Sequence, residues 1–310
     1  SSIGDAQVSR REFSSYQDLA AKGQLKFRVG MYFLSHLLDQ VLEMGFNSRF
    51  GNSRLNFSGI KLYADGTLGG WTAYFPEGYL GDPCRTGQLY HEPVDYEALV
   101  EKAHKAGLQT ATHAQSPTAI GMVIDAVSKA QQKFPRPDAR HRIEHCGLPS
   151  KEQMPLLKSL GIRPVNQTQH YYNWGEGVKQ AIGTPGERFN PLGEFSRAEI
   201  PISISSDAPV AEPKPLEAIM VAANRLTRRG EKLGPDDLII SVQQALEAHT
   251  INAAVSLGRE SDLGSIEIGK RADFVVLGAD PLAVEINQIA SIEVLETWIG
   301  GIREFEAKSK

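Results

Sequence analysis

Six short apolar or β-branched runs, at 25–33, 57–64, 108–114, 140–146, 162–168 and 200–207, recur along most of this chain, and helix-type segments alternate with them. Strands separated by helices return in the same direction, which demands a parallel sheet with crossover helices. The intervening segments support this. Residues 93–107 place Tyr96, Leu99, Val100 and Ala103 on one face and stop at Gly107. Ser116-Pro117 opens a second helix with Ile120, Val123, Ile124 and Val127 on one side. Ser150 with Gln153 makes a capping-box start to a helix ending at Gly161, and a further helix is expected from Pro215 to Arg229. From Leu263 onward "LGSIEIGKRADFVVLGADPL" and "VLETWIGGIREFEA" read as short strands joined by Gly turns, an antiparallel cap. Residues 1–258 and 259–310 are therefore expected as two units. Six strands fit a doubly wound sheet or most of a (β/α)₈ barrel, and periodicity alone does not choose.

Bulk properties exclude several functions. With 310 residues, 41% hydrophobic, the chain can fill a sizeable core. A net charge of −4 gives no reason to expect nucleic acid or an anionic membrane as partner. No apolar run is long enough to span a bilayer. Cys84 and Cys146 make no disulfide framework and read as small packing residues, which fits a reducing, cytoplasmic location. The opening "SSIGDAQVSRREFSSYQDLAAKG" resembles neither a signal peptide nor the start of a domain. No Gly-rich phosphate loop follows any strand, which argues against a nucleotide-binding protein.

The polar residues at strand ends carry the chemistry. Parallel α/β folds act at the C-terminal ends of their strands. There this chain sets His113, His145 and Asp207, in "QTATH", "RIEH" and "ISISSD". Each has a plain explanation: a histidine can pack through a hydrogen bond, and Asp207 can cap the next helix. Together, two neutral imidazoles and a carboxylate suit a divalent cation such as zinc. Lys61, in "FSGIKLYADGTLGG", alternates with Ile60 and Leu62 and shares its face with Tyr63 and Asp65. Lone strand lysines are usually solvated. A lysine turned inward has a depressed pKa, and its neutral amine can take up carbon dioxide to form a bidentate carbamate. His170 and Trp174, in "TQHYYNWGE", fall where a small-molecule pocket would form and read as substrate contacts. The loops 65–88 and 168–195, with Tyr74, Phe75, Tyr79, Tyr171 and Tyr172, would favour an apolar or aromatic substrate group. His104, His141 and His249 read as structural.

The stretches "GIKLYADGTLGG", "TATHA", "RHRIEHC", "ISISSDAPV", "ALEAHTINAAVSLG" and "GSIEIGKRADFVVL" resemble the amidohydrolase superfamily, and within it the third amidohydrolase family, which includes enzymes similar to N-substituted formamide deformylase. The resemblance implies a metal-dependent hydrolase of non-peptide C–N bonds on a (β/α)₈ TIM-type barrel, followed by strands of a small β-sandwich. It implies that Lys61 on strand four, carboxylated, bridges two divalent ions. His113 on strand five and His145 on strand six would hold the second ion. Asp207 on strand eight would bind the first and act as general base on an activated water. "THAQSP" departs from the Gly-Asp that usually follows the strand-five histidine in this family.

The family's His-x-His pair is absent, since histidines occur only at 36, 91, 104, 113, 141, 145, 170 and 249. Counting back from Lys61 makes 25–33 strand three, so strands one and two are expected before residue 1 in a longer protein. The first metal position would keep only Asp207 and the carbamate, the second Lys61, His113 and His145. Weak or absent turnover is expected of this chain, and self-association through its open sheet edges. Two other readings stay open: a non-catalytic metal-binding barrel and a metal-dependent deaminase.

Overall fold

The computed structural model describes residues 1–308. Seven parallel strands form one sheet, in the order β1 to β7: β1 (Ser2–Val8), β2 (Arg28–Leu34), β3 (Leu55–Tyr63), β4 (Gln109–Ala114), β5 (Arg142–His145), β6 (Arg163–Asn166) and β7 (Ser203–Ile204). The helices between them are α1 (Arg10–Ala21), α2 (Leu38–Glu43), α3 (Pro93–Lys105), α4 (Pro117–Lys133), α5 (Gln153–Ser159), α6 (Thr168–Ile182) and α7 (Leu192–Arg197). Then come α8 (Pro215–Asn224), α9 (Val242–His249) and α10 (Ile251–Ser256). A three-stranded antiparallel sheet follows, of β8 (Phe274–Leu277), β9 (Val294–Ile299) and β10 (Ile302–Glu306).

Sequential parallel pairing confirms the expected sheet type and corrects its extent. Residues 2–8, in an opening read as unlike the start of a domain and given no strand, pair in parallel with β2 from Ser2↔Arg28 onward. Counted back from the strand of Lys61, β1 takes second place, so only the first place has no strand among the described residues. β1 alternates weakly and is half exposed, which hid it; the capping box of Ser9 and Glu12 that opens α1 was the better signal. A closed eight-stranded barrel is not what these residues form, because β1 and β7 are the two edges of the sheet. The sheet curls, and α10 spans the gap at its N-terminal end. Ser256 Oγ lies 2.7 Å from Ser203 Oγ of β7. The adjacent Leu257 packs where a Cβ on Gly4 of β1 would sit, 2.7 Å from its methyl carbon.

The apolar core lies between the convex face of the sheet and the helices. Ile60, Leu62 and Ala64 from β3 and its exit, Ile143 of β5, and Ile120, Val123, Ile124 and Val127 of α4 all belong to it. The concave face is polar. Tyr32 of β2 donates to Gln109 Oε1 of β4 at 2.7 Å and accepts from Arg142 Nη1 of β5 at 2.8 Å. Gly59 stands between Tyr32 and Gln109, and a Cβ there would meet the Gln109 carbonyl oxygen at 2.2 Å. Arg142 in turn grips Glu144 with two hydrogen bonds, of 2.8 and 2.9 Å.

Other expectations need adjustment. The segment after β6, read as a loop from 168, is the helix α6, because Tyr171, Gly175 and Val178 recur at helical spacing and are buried. α8 ends at Asn224 rather than Arg229, where Arg225 turns left-handed and sends its guanidinium to the carbonyls of Leu233, Asn190, Glu187 and Phe189. Cys146 is buried but Cys84 is exposed, so Cys84 is no packing residue. Among the described residues no helix is long and apolar enough to cross a membrane.

Candidate metal centre

Strand register sets the first residues of the site. Tyr63, His113 and Glu144 are paired across β3, β4 and β5, and Lys61, Ala111 and Arg142 form the row below. Because side chains alternate, Ile60 and Leu62 enter the outer core while Lys61 turns into the concavity. It is 4% exposed. Burial pulls its amine down to about 8, against the attraction of Glu144 and Asp207. Its Nζ stands 4.5 Å from the centroid of the Tyr63 ring.

The two strand-end histidines meet edge to face, with ring centroids 4.4 Å apart. His113 Nε2 lies 2.9 Å from the Gly66 carbonyl oxygen, which can only accept, so its proton sits there and the lone pair is on Nδ1. Burial, and next the charge of Lys61, push its pKa down to about 3. His145 ends β5 with φ of 70°, and Cys146 follows at 43°. Left-handed backbone is costly for residues with a Cβ and collects at functional sites. Asn166 Nδ2 holds the His145 carbonyl at 2.6 Å, which fixes that conformation.

Asp207 was expected to close its strand. β7 ends at Ile204, and Asp207 follows in the next loop with φ of 57°. There it reaches His170, on the first turn of α6, with Oδ2 3.6 Å from Nε2. The ring of His170 stacks on that of His145 at 5.6 Å. Ligand atoms of His145, His170 and Asp207 all lie within 4.8 Å of one another. The family resemblance gives His145 to the second ion, Asp207 to the first and leaves His170 to the substrate, whereas the fold brings all three together. Of the other expected ligands, His113 adjoins the group through His145, and Lys61 acts on it by charge. Trp174, one helical turn beyond His170, sets its ring 4.8 Å from the imidazole and is 37% exposed.

The donor set fits a divalent cation. His170 Nε2 is buried without a hydrogen-bond partner, an unmet need that a ligand would satisfy. Burial lowers the pKa of His170 to about 4 and that of His145 well below 6.5, so both are neutral at pH 7 and have a lone pair to offer. Two nitrogens and one oxygen suit a zinc-type ion. Burial raises Asp207 to about 6, with Lys61 opposing, which leaves it ionised at pH 7 yet able to take a proton. Sequence reasoning missed Glu144, Arg142 and Gln167. Alternation in "RIEH" shows Arg142 and Glu144 on one face, but nothing local to the sequence marks Gln167.

A family model described as the amidohydrolase family matches residues 1–303. The chain is 28% identical to N-substituted formamide deformylase of Arthrobacter pascens, over 98% of this chain and 57% of that protein. It is 27% identical to the putative amidohydrolase YtcJ of Bacillus subtilis, over 96% of this chain and 55% of that protein. The crystal structure of an uncharacterized metal-dependent hydrolase from Pyrococcus furiosus superposes with a TM-score of 0.77 at 28% identity, covering 91% of this chain and 56% of the other. The chain thus spans a little over half the length of the curated relatives it matches.

Proposed function

The chain belongs to the amidohydrolase family, and from that premise we propose that it carries the metal-binding half of an enzyme that hydrolyses a C–N bond in a small molecule. The observation that carries this reading is the convergence of His145, His170 and Asp207, with His170 Nε2 buried and unpartnered. His145, His170 and Asp207 would hold a divalent cation, zinc by donor type, with Lys61 and His113 beside it. When bound, such a cation supplies Lewis acidity toward a carbonyl and makes water more acidic.

The chain's own groups do the rest. Asp207, half exposed and held near pKa 6, accepts the proton of an attacking water and returns it to the leaving amine. Lys61, with an amine near pKa 8, keeps a reactive neutral fraction at neutral pH and is the residue that would carry a carbamate. Trp174 offers an apolar wall beside His170 for the substrate's flat or hydrocarbon part.

The test is zinc titration of the metal-stripped chain, followed by a screen of formamides, amides and amino-heterocycles. His170→Ala should weaken zinc binding by roughly tenfold or more, and Asp207→Asn should abolish turnover. Zinc binding with no hydrolysis, also in a chain extended to the length of its relatives, would favour a non-catalytic metal-binding protein. Ammonia release from amino-heterocycles alone would move the chemistry to deamination.

A further inference from the structure

Gln167 lies between β6 and α6, and its side chain amide is buried against His145. Gln167 Nε2 lies 3.0 Å from the Val165 carbonyl oxygen and 2.8 Å from Ser205 Oγ. A carbonyl oxygen accepts and never donates, so the group facing Val165 must be the NH2, and the amide has one permitted orientation. Its Oε1 then faces His145 Nδ1, at 2.6 Å. An amide oxygen also only accepts, so the imidazole must carry its proton on Nδ1. The lone pair is left on Nε2.

From this geometry we infer that Gln167 is a positioning residue that locks His145 in its Nδ1–H tautomer, so that Nε2 is free to bind a cation. The proposal rests on the metal-binding reading above. A free imidazole favours the opposite, Nε2–H form, in which that nitrogen has no lone pair to give. The lock therefore supplies what the ring would not adopt by itself. Metal-bound histidines commonly depend on such a partner for the second nitrogen.

The lock is itself held by several contacts. Ser205 N donates to the Asn166 carbonyl at 2.9 Å, which keeps Ser205 Oγ beside the amide. Asn190 Nδ2 donates to the Gln167 carbonyl at 2.8 Å and fixes the backbone from which the side chain reaches. Asn166 Nδ2 in turn holds the His145 carbonyl. Both ends of His145, backbone and ring, are thus tied to residues 166 and 167 at the exit of β6.

The test reads the tautomer directly in the metal-free chain. Histidine ring nitrogens labelled with ¹⁵N are followed at pH 7.5, and His145 is assigned by the signal lost in His145→Gln. Protonated Nδ1 and unprotonated Nε2 are expected. Gln167→Met, which keeps the volume and removes the acceptor, should shift the ring toward the Nε2–H form and weaken zinc binding roughly 10- to 100-fold. Gln167→Glu, which in its protonated form keeps an acceptor toward His145 and a donor toward Val165, should retain the tautomer and bind zinc within about threefold of the unmodified chain. A protonated Nε2 in the unmodified chain overturns the lock, as does unchanged tautomer and affinity in Gln167→Met. If Gln167→Met does not fold, the unmodified chain and Gln167→Glu decide. A chain with the expected tautomer that takes up no zinc overturns the metal reading instead, and with it the purpose of the lock.

Discussion

Lys61 is carried into the concave face of the sheet on a strand whose other face packs the core, and the pKa of its amine falls to about 8 as a result. A depressed lysine is one that folding would rather see neutral. Its folded pKa lies below the unfolded value of about 10.4, so its cost is absent above that value and grows as pH falls toward 8. At pH 7 the full cost is present. Lys61→Met, similar in length and without charge, should stabilise the metal-free chain by on the order of 2 kcal/mol. Urea unfolding would show this as a higher midpoint; an equal or lower midpoint means that the amine is solvated in the folded chain and carries no burial cost. A residue that destabilises the fold and survives at the rim is what a site under functional demand looks like. His145, left-handed at the end of β5, belongs to the same class.

The stretch "IGKRADFVV" acquires a physical role once β8 to β10 are in place. Asp273, just before β8, takes two hydrogen bonds from Arg28 at the start of β2, of 3.1 and 2.8 Å, and one from Gly300 N in the β9–β10 turn at 2.7 Å. Both partners of this ion pair are buried, at 3% and 5% side-chain exposure. It pins the small antiparallel sheet to the N-terminal end of the large one. Removing one partner of such a pair strands the other charge, so Asp273→Ala should cost about 3 kcal/mol. Amide exchange should accelerate first in β9 and β10, while β3 to β5 stay protected. Uniform acceleration across both sheets would mean that the small sheet is not a separable unit. α6 shows how a segment can mislead. Its aromatic residues suggested a pocket loop, yet Tyr171 is buried and anchors the helix, its hydroxyl donating to the Arg225 carbonyl at 2.9 Å.

Acid should undo the whole molecule through its buried histidines. Thr110 N donates to His141 Nδ1 at 3.0 Å, His141 Nε2 to His104 Nδ1 at 2.8 Å, and His104 Nε2 to the Phe134 carbonyl at 2.7 Å. Every ring nitrogen in that chain is committed, and a further proton would set two donors against each other. Burial lowers the pKa of His141 to about 3 and lowers that of His104 too. His113, His145, His170 and His249 are depressed likewise. Their neutral forms stabilise the fold fully above the unfolded value of about 6.5, and that contribution is lost as pH falls toward the folded values. Each costs up to about 1.4 kcal/mol per pH unit in that window. Asp65 and Asp207, both raised to about 6, act the other way, but the histidines outnumber them. The urea midpoint of the metal-free chain should hold between pH 7 and 8 and drop by several kcal/mol of stability by pH 5.5. A midpoint unchanged to pH 5 would mean these imidazoles reach solvent.

Local pattern was enough for much of this protein. Alternation in "GIKLY" and "RIEH", helical spacing in α3 and α4, and the switch to Gly-linked strands after Leu263 all depend on neighbours in the chain, so they can be read from it. They also placed His113 and His145 at successive strand ends, with Lys61 one pleat back on the neighbouring strand, because parallel pairing puts those ends on one rim. What the chain could not state is which side chains meet once distant segments return. β1 became a strand only because β2 offers it an edge, and His170 joined His145 and Asp207 because α6 folds back over the rim. The orientation of one amide, Gln167, depends on acceptors from two different segments, Val165 and Ser205. Periodicity records which face a residue takes, while directional contacts between remote residues exist only after the backbone has closed the distance.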